Sequence, residues 1–278
     1  IAKLSLTDAQ TADVQAKRTK TEEYLRASFP STSDLPLERV ILIGSAARGT
    51  MIRPPKDIDV MAEFTNRDRI FETYRFDSGA FLQRLRTALV ANTTLAQIGA
   101  RGQAVRLFYT NGPYVDIAPV FKWSGDGYAL PAGDGTWLTT DPEAQATWLA
   151  ERKRALGNSL GTLIRLTKRW NDCHSRHFRS YHLEVAVATM FTSVGLDCRK
   201  ALQVFFEATP RWLDVGDPAG HSGRLDFYLT PAKRQALLAR LASANDRAKT
   251  AIAAEAAGDH AAAKRLWALE LGSEFPVS

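Results

Sequence analysis

Cysteine is scarce. Only Cys173 and Cys198 occur in 278 residues, and neither lies in a metal-ligand or redox spacing, so both read as reduced, partly buried fillers. Long apolar runs are missing as well. None reaches the roughly 18 residues of a membrane span, and the N-terminus lacks a signal-peptide core. A cytoplasmic protein with no membrane partner is expected. His174 and His177 are spaced like metal ligands, but without Cys or acidic company they read as part of a solvated loop. No aromatic-basic RNA-binding signature is present. The formal charge of +6 therefore suits an anionic partner, nucleotide or nucleic acid, without establishing nucleic-acid binding. Apolar content of 45% and charged content of 24% are those of a globular protein with a sizeable core. The length suits one large domain or two medium ones.

One stretch carries chemistry. Val40 to Ile43 is apolar and runs into Gly44-Ser45, a polar loop follows, and then comes Asp57-Ile58-Asp59-Val60. Gly44 allows a sharp turn and close approach to a ligand, and the Ser45 hydroxyl can face a phosphate. In an extended segment Asp57 and Asp59 share one face while Ile58 and Val60 take the other. Two carboxylates on one face repel unless a cation sits between them, so a divalent metal is the natural partner. Singly, an Asp-x-Asp or a Gly-Ser is common on solvated strand edges and in loops. Their order and separation here argue against accident.

The rest of the chain sorts into two halves. A helix is predicted from about Thr7 to Phe29, a strand from Leu37 to Ile43, an irregular Pro54-Pro55 connector, and a strand from Asp57 to Phe64. Ser78 is a candidate cap for a helix to about Asn92. Ala104 to Thr110 and Tyr114 to Phe121 flank Asn111-Gly112, a hairpin signal. The second of these strands carries Asp116 between Val115 and Ile117, where an uncompensated carboxylate would be costly. If it neighbours the Asp57 strand, Asp116 joins the same cation site; otherwise it is a lone Asp on an exposed face. Residues 122 to 141 read as a long surface loop. Helical patterning then dominates: Glu151 to Asn171, Ser180 to Gly195, Arg199 to Ala208, a long helix from Thr230-Pro231 to Gly258, and a last one capped by Asp259 and ending near Gly272. The composition shift places a boundary near residue 140.

Gly44-Ser45, Asp57-x-Asp59 and the later Asp116 resemble the signature of the DNA polymerase β-like nucleotidyltransferase superfamily. Leu163-Ile164-Arg165-Leu166-Thr167-Lys168 and Ser180-Tyr181-His182-Leu183-Glu184 are similar to the two donor-nucleotide segments of cyclic GMP-AMP synthase and its bacterial relatives. Those relatives are the CD-NTases (cGAS/DncV-like nucleotidyltransferases) of CBASS anti-phage defence. Asp217-Pro218, Glu255-x-x-Gly258-Asp259 and Trp267 through Leu271-Gly272-x-x-Phe275-Pro276 resemble the ending of many bacterial members.

The resemblance implies an α+β fold: a polymerase β-like nucleotidyltransferase core with a small mixed sheet, a C-terminal helical lobe, and a central active-site cleft between the two lobes. It places residues 1–140, with a bracing N-terminal helix, in the core and 141–278 in the helical nucleotide-binding lobe. It assigns Asp57, Asp59 and Asp116 to catalysis and to binding of Mg2+, with Mn2+ as a substitute. Gly44, Ser45, Lys168, Ser180 and Tyr181 would hold ATP or other nucleoside triphosphates, Tyr181 by stacking on a base. Arg48, Thr50, Arg53, Arg101 and Arg106 receive no assigned contact, with a solvated strand face favoured for Arg101 and Arg106. Asn158 and Asn171 are base-selecting candidates by polarity alone. The implied activity is synthesis of a cyclic di- or trinucleotide messenger that acts on a downstream effector. A monomer with no stable nucleic-acid partner is expected. Two other classes stay open here: linear transfer onto an RNA end or a protein, as in poly(A), CCA-adding or antitoxin-type relatives, and a nucleotide-binding module without catalysis. The intact acidic triad argues against the last.

Overall fold

A computed structural model describes residues 2–92, 97–123, 125–272 and 275. Its contacts divide the chain into two units, Leu6–Ala146 and Thr147–Ser278 with Ile1–Ser5. Ile1 and Pro276 lie outside the described residues, as does the side chain of Arg101.

In the first unit, α1 (Asp8–Ser28) begins with a capping box in which Thr7 and Gln10 satisfy each other's backbone N–H. Strand β1 (Leu37–Leu42) leads to the short α2 (Gly44–Ala47), and β2 spans Asp57–Phe64. After α3 (Phe71–Tyr74) comes α4 (Ser78–Asn92). Its cap differs from expectation. The Ala80 N–H donates to Asp77 Oδ1 at 3.1 Å, while the Ser78 hydroxyl donates to the Thr136 carbonyl at 2.5 Å. Strands β3 (Gln97–Arg101), β4 (Ala104–Phe108) and β5 (Tyr114–Lys122) follow.

Residues 122 to 141 are not wholly loop, because they include β6 (Tyr128–Pro131) and β7 (Trp137–Thr140). Each is four residues long, too short among glycines for alternation to show. The sheet order is β1-β2-β5-β4-β3, with β6 pairing both β5 and β7. The β2–β5 pair is parallel, whereas β1–β2 and β4–β5 are antiparallel.

Alternation along β2 decides what the sheet faces. Ile58, Val60, Ala62 and Phe64 join Val115, Ile117 and Phe121 in a core with Leu25 of α1, Phe29 at its C-terminal cap, and Phe81 and Leu85 of α4. The opposite face carries Asp57, Asp59, Met61 and Glu63. There Arg39 of β1 donates to Glu63 Oε2 at 2.7 Å, to the Tyr128 hydroxyl at 2.6 Å and to Glu143 Oε2 at 2.7 Å. This knot ties β1, β2 and β6 to the first turn of α5 (Pro142–Leu156).

The second unit is helical. The predicted Glu151–Asn171 helix is two helices, α5 and α6 (Asn158–Cys173), broken at Gly157 with φ +78°. That left-handed backbone is tolerated by glycine and interrupts the helix. Next come α7 (Ser180–Met190), α8 (Cys198–Ala208), α9 (Pro231–Ala256) and α10 (His260–Leu271). α7 stops short of Gly195, since Phe191 is already extended. Its His182 to Ala188 run is buried, in keeping with an all-round apolar helix. Thr230 and Asp259 cap α9 and α10 as expected.

Fully buried Trp170 donates its indole N–H to Glu270 Oε2 at 3.0 Å, and Arg247 donates to Glu270 Oε1 at 2.8 Å. His174 is not in a solvated loop. Its side chain is 10% exposed, lies against Trp170 and meets the Glu270 carbonyl at 3.2 Å. Cys173 is exposed rather than a filler, and Cys198 is half-buried. Among the described residues no helix is long and apolar enough to cross a membrane.

Candidate active site

The β2–β5 register builds the acidic face. Asp59 and Asp116 are direct partners across the parallel pair, and Asp57 lies opposite Tyr114. Partners in register on neighbouring strands point to the same face, so the three carboxylates share the side away from the α1–α4 core. Gly44 closes in on them. A Cβ there would lie 2.1 Å from Asp59 Oδ2, and its φ of +61° already favours glycine. The Ile43 N–H donates to the Asp59 carbonyl at 2.9 Å, which fixes the turn beside the carboxylate. Ser45 is half-buried in α2, and its carbonyl accepts the Thr50 N–H at 3.0 Å. Arg48 and Thr50 of the same loop are buried.

Asp116, buried at 8% exposure, has a cationic neighbour. Arg106 Nε donates to Asp116 Oδ1 at 2.6 Å, and Nη2 to Oδ2 at 2.7 Å. Its guanidinium carbon lies 3.5 Å from the Tyr114 ring centre. The hydrogen bond to Asp116 is the chief reason the Arg106 pKa is raised, and the charge of Asp57 adds to it. A bidentate pair of this kind is both strong and directional. Arg106 is thus not on the solvated face favoured for it. The sequence held the signal: Arg106 and Asp116 are equidistant from Asn111, so an antiparallel hairpin about that turn sets them opposite each other.

Three carboxylates are the hard oxygen donors that suit Mg2+ or Mn2+, and the register of Asp59 and Asp116 fits a shared cation. Among the described residues, however, no three His, Cys, Asp or Glu side chains already converge into a cage. Asp116 is turned onto Arg106.

The helical unit holds the other predicted contacts. Lys168 of α6 donates to Glu184 Oε1 of α7 at 3.0 Å, with side chains 8% and 1% exposed. Ser180 is the first residue of α7 and is exposed, with Arg179 as the cap. Half-buried Tyr181 donates its hydroxyl to Asp217 Oδ1 at 2.7 Å. Sequence reasoning gave neither Glu184 nor Asp217 a role. Both lie in quoted motifs, but their contacts join helices and loops distant along the chain. Asn171 is buried and exchanges two hydrogen bonds with the Phe178 backbone, which commits it to the α6–α7 turn rather than to an incoming base. Asn158 opens α6.

The sequence profile of the Second Messenger Oligonucleotide or Dinucleotide Synthetase domain matches residues 1–153. The chain belongs to this family. It is a CD-NTase, a cGAS/DncV-like nucleotidyltransferase that makes a cyclic oligonucleotide second messenger. A Bacillus cereus protein named as a probable cyclic nucleotide synthase is 27% identical over 275 residues, covering 86% of this chain and 82% of its own. The cyclic AMP-AMP-AMP synthase of Escherichia coli MS 115-1 is 28% identical over 217 residues, or 73% of this chain and 66% of its own. In three dimensions the CD-NTase matches Vibrio cholerae DncV, a cyclic AMP-GMP synthase solved with the linear intermediate 5′ pppA(3′,5′)pG. The TM-score is 0.79 at 16% identity, over 99% of this chain and 93% of that one. The fold is therefore the expected polymerase β-like core with a helical unit. Family membership favours cyclisation over linear transfer.

Proposed function

We propose that Asp57, Asp59 and Asp116 are the catalytic carboxylates of a synthase that joins nucleoside triphosphates into a cyclic di- or trinucleotide. The observation carrying this reading is the β2–β5 register, which sets Asp59 beside Asp116 on the face that Gly44 approaches. At each step a ribose hydroxyl forms a bond to the α-phosphorus of a triphosphate, the bond to the β-phosphate oxygen breaks, and pyrophosphate leaves. The last hydroxyl to attack belongs to the linear intermediate itself, which closes the ring. Magnesium held by the three carboxylates would supply Lewis acidity to the attacking and leaving oxygens.

The chain's own groups do the rest. Asp116, released from Arg106, would lower the proton affinity of the attacking hydroxyl. Ser45 offers a hydroxyl to the donor phosphates, with Gly44 leaving room for them. Lys168 supplies a compact positive charge for the polyphosphate. Ser180 adds a hydroxyl, and Tyr181 a ring face for a base. Relatives named for adenine-containing products make ATP the first substrate to test. The product would act on an effector in cytoplasmic anti-phage signalling, and the enzyme would work as a monomer.

Purified protein incubated with labelled triphosphates and Mg2+, singly and in pairs, should yield a small product that resists phosphatase. An extended RNA in the same assay would instead identify linear transfer, and no product in any mixture would argue against catalysis.

A further inference from the structure

Tyr181 is held by a small closed loop outside its own helix. Val215 accepts the Leu225 N–H at 2.9 Å, Gly216 and Arg224 form an antiparallel bridge, and the Asp217 N–H donates to Gly223 at 2.7 Å. The Asp217 carboxylate fills this loop and is 8% exposed. Its Oδ1 accepts the Ala219 N–H at 3.1 Å, and its Oδ2 accepts the Ser222 N–H at 3.0 Å. The remaining capacity of Oδ1 takes the Tyr181 hydroxyl at 2.7 Å. Burial pushes the Asp217 pKa up, but the hydrogen bonds from Tyr181, Ala219 and Ser222 outweigh it and leave the group below the usual carboxylate range. It is an ionised acceptor at neutral pH.

The residues on either side of Tyr181 are fixed by the continuation of the same segment. The Tyr228 hydroxyl accepts the Arg179 N–H at 2.9 Å and lies 2.8 Å from His182 Nδ1. Burial brings the His182 pKa down to about 4, so the ring is neutral. With the Arg179 N–H already donated to it, the Tyr228 hydroxyl gives its own proton to Nδ1; this tautomer is assigned from the network. Stitches to Asp217 and Tyr228 thus hold the first turn of α7 at Arg179, Tyr181 and His182. A loop closed by backbone bonds alone would not need a carboxylate aimed at an aromatic hydroxyl on a neighbouring helix.

We infer that Asp217 is a positioning residue that fixes the Tyr181 ring in the orientation from which it stacks on a nucleotide base. The inference rests on the proposed role of Tyr181 as a base-stacking platform. Asp217 touches no substrate in this scheme and acts only through the phenol. Replacing Tyr181 by phenylalanine keeps the ring and deletes its bond to Asp217, whereas Asp217→Ala removes that bond together with those from Ala219 and Ser222.

The test measures equilibrium binding of a non-hydrolysable ATP analogue, together with kcat and KM, in the full chain. Tyr181→Phe should weaken binding and raise KM about tenfold or more, with kcat within about twofold of wild type, as expected for loss of one hydrogen bond to a charged acceptor, and Asp217→Ala should weaken binding at least as much. The double variant should be no worse than Asp217→Ala, because once the carboxylate is gone the Tyr181 hydroxyl has no bond to it left to lose. Asp217→Asn keeps an oxygen for the Tyr181 hydroxyl but sets its NH2 against the Ser222 N–H, and should recover part of the affinity lost in Asp217→Ala. If Tyr181→Ala leaves binding untouched, the stacking role itself fails. If Tyr181→Ala weakens binding but Tyr181→Phe and Asp217→Ala do not, the positioning role is overturned. Additive losses in the double variant would overturn it too, by showing that Asp217 serves only the loop. Should Asp217→Ala not fold, Tyr181→Phe decides alone.

Discussion

Each unit of the enzyme buries an ion pair at a residue proposed to serve the reaction, and the two pairs differ in kind. In the sheet unit Asp116 and Arg106 form a two-bond fork on neighbouring strands, with side chains 11% and 14% exposed. In the helical unit Lys168 donates to Glu184 Oε1 at 3.0 Å, and Glu184 is 1% exposed. A carboxylate proposed to hold a cation is paired with a cation, and an ammonium proposed to hold phosphate is paired with an anion. The sheet pair lies at the wetter site and trades its partner more cheaply; the helical pair is a deeper commitment of the fold. Burial, rather than charge, ranks their structural weight.

The largest expected effect lies on the sheet side and is chemical. Asp57→Ala with Asp59→Ala should lower product formation by about a thousandfold or more, measured by the labelled-nucleotide assay, with circular dichroism unchanged because both residues lie on the face away from the core. Full activity would break the site assignment. On the helical side the effect is on stability. Glu184→Ala removes one partner of a buried pair and should cost about 3–5 kcal/mol in denaturant unfolding, more than any single change at Arg106.

Acid should also act first on the helical unit. The folded His182 pKa, about 4, is depressed from 6.5, so the unfolded chain binds its proton more readily. Stability from this group is complete above about pH 6.5 and is lost as pH falls toward 4, up to about 3 kcal/mol. His174 and His177, both lowered mainly by burial, push the same way. Unfolding curves for His182→Gln should show a flatter acid limb than those of wild type.

Smaller effects return to the sheet. Gly44→Ala should cost about 1–2 kcal/mol through strain, and should reduce activity with it, since the new Cβ would displace Asp59. Arg106→Gln should cost only about 1 kcal/mol while Mg2+ binds several-fold tighter by calorimetry, because a competing positive charge has gone. Weaker Mg2+ binding would reverse the comparison and make Arg106 a support for the metal site rather than its rival.

The parts of this site that were legible in the sequence obey local rules. Alternation from Asp57 to Phe64 separated carboxylates from core residues, and Asn111-Gly112 announced the hairpin that carries Asp116. Thr230 and Asp259 declared helix starts through capping chemistry. The short β6 and β7 gave no periodic signal, and Gly157 split a helix whose apolar pattern ran on through it. The Lys168–Glu184 and Tyr181–Asp217 contacts were illegible for another reason. Tertiary packing chooses such partners, and no spacing along one helix names a residue on another element.

The division of β2 and β5 into an acidic face and an apolar face also bears on how the chain finds its fold. A slip of β2 by one residue against β5 would turn Asp57 and Asp59 toward α1 and α4 and send Ile58 and Val60 to the other side, and a slip of β5 would do the same to Asp116 with Val115 and Ile117. Carboxylates buried without partners would make that state costly. The carboxylates proposed for chemistry therefore also disfavour a slipped register, and large apolar residues in their place, unlike alanine, would favour it instead.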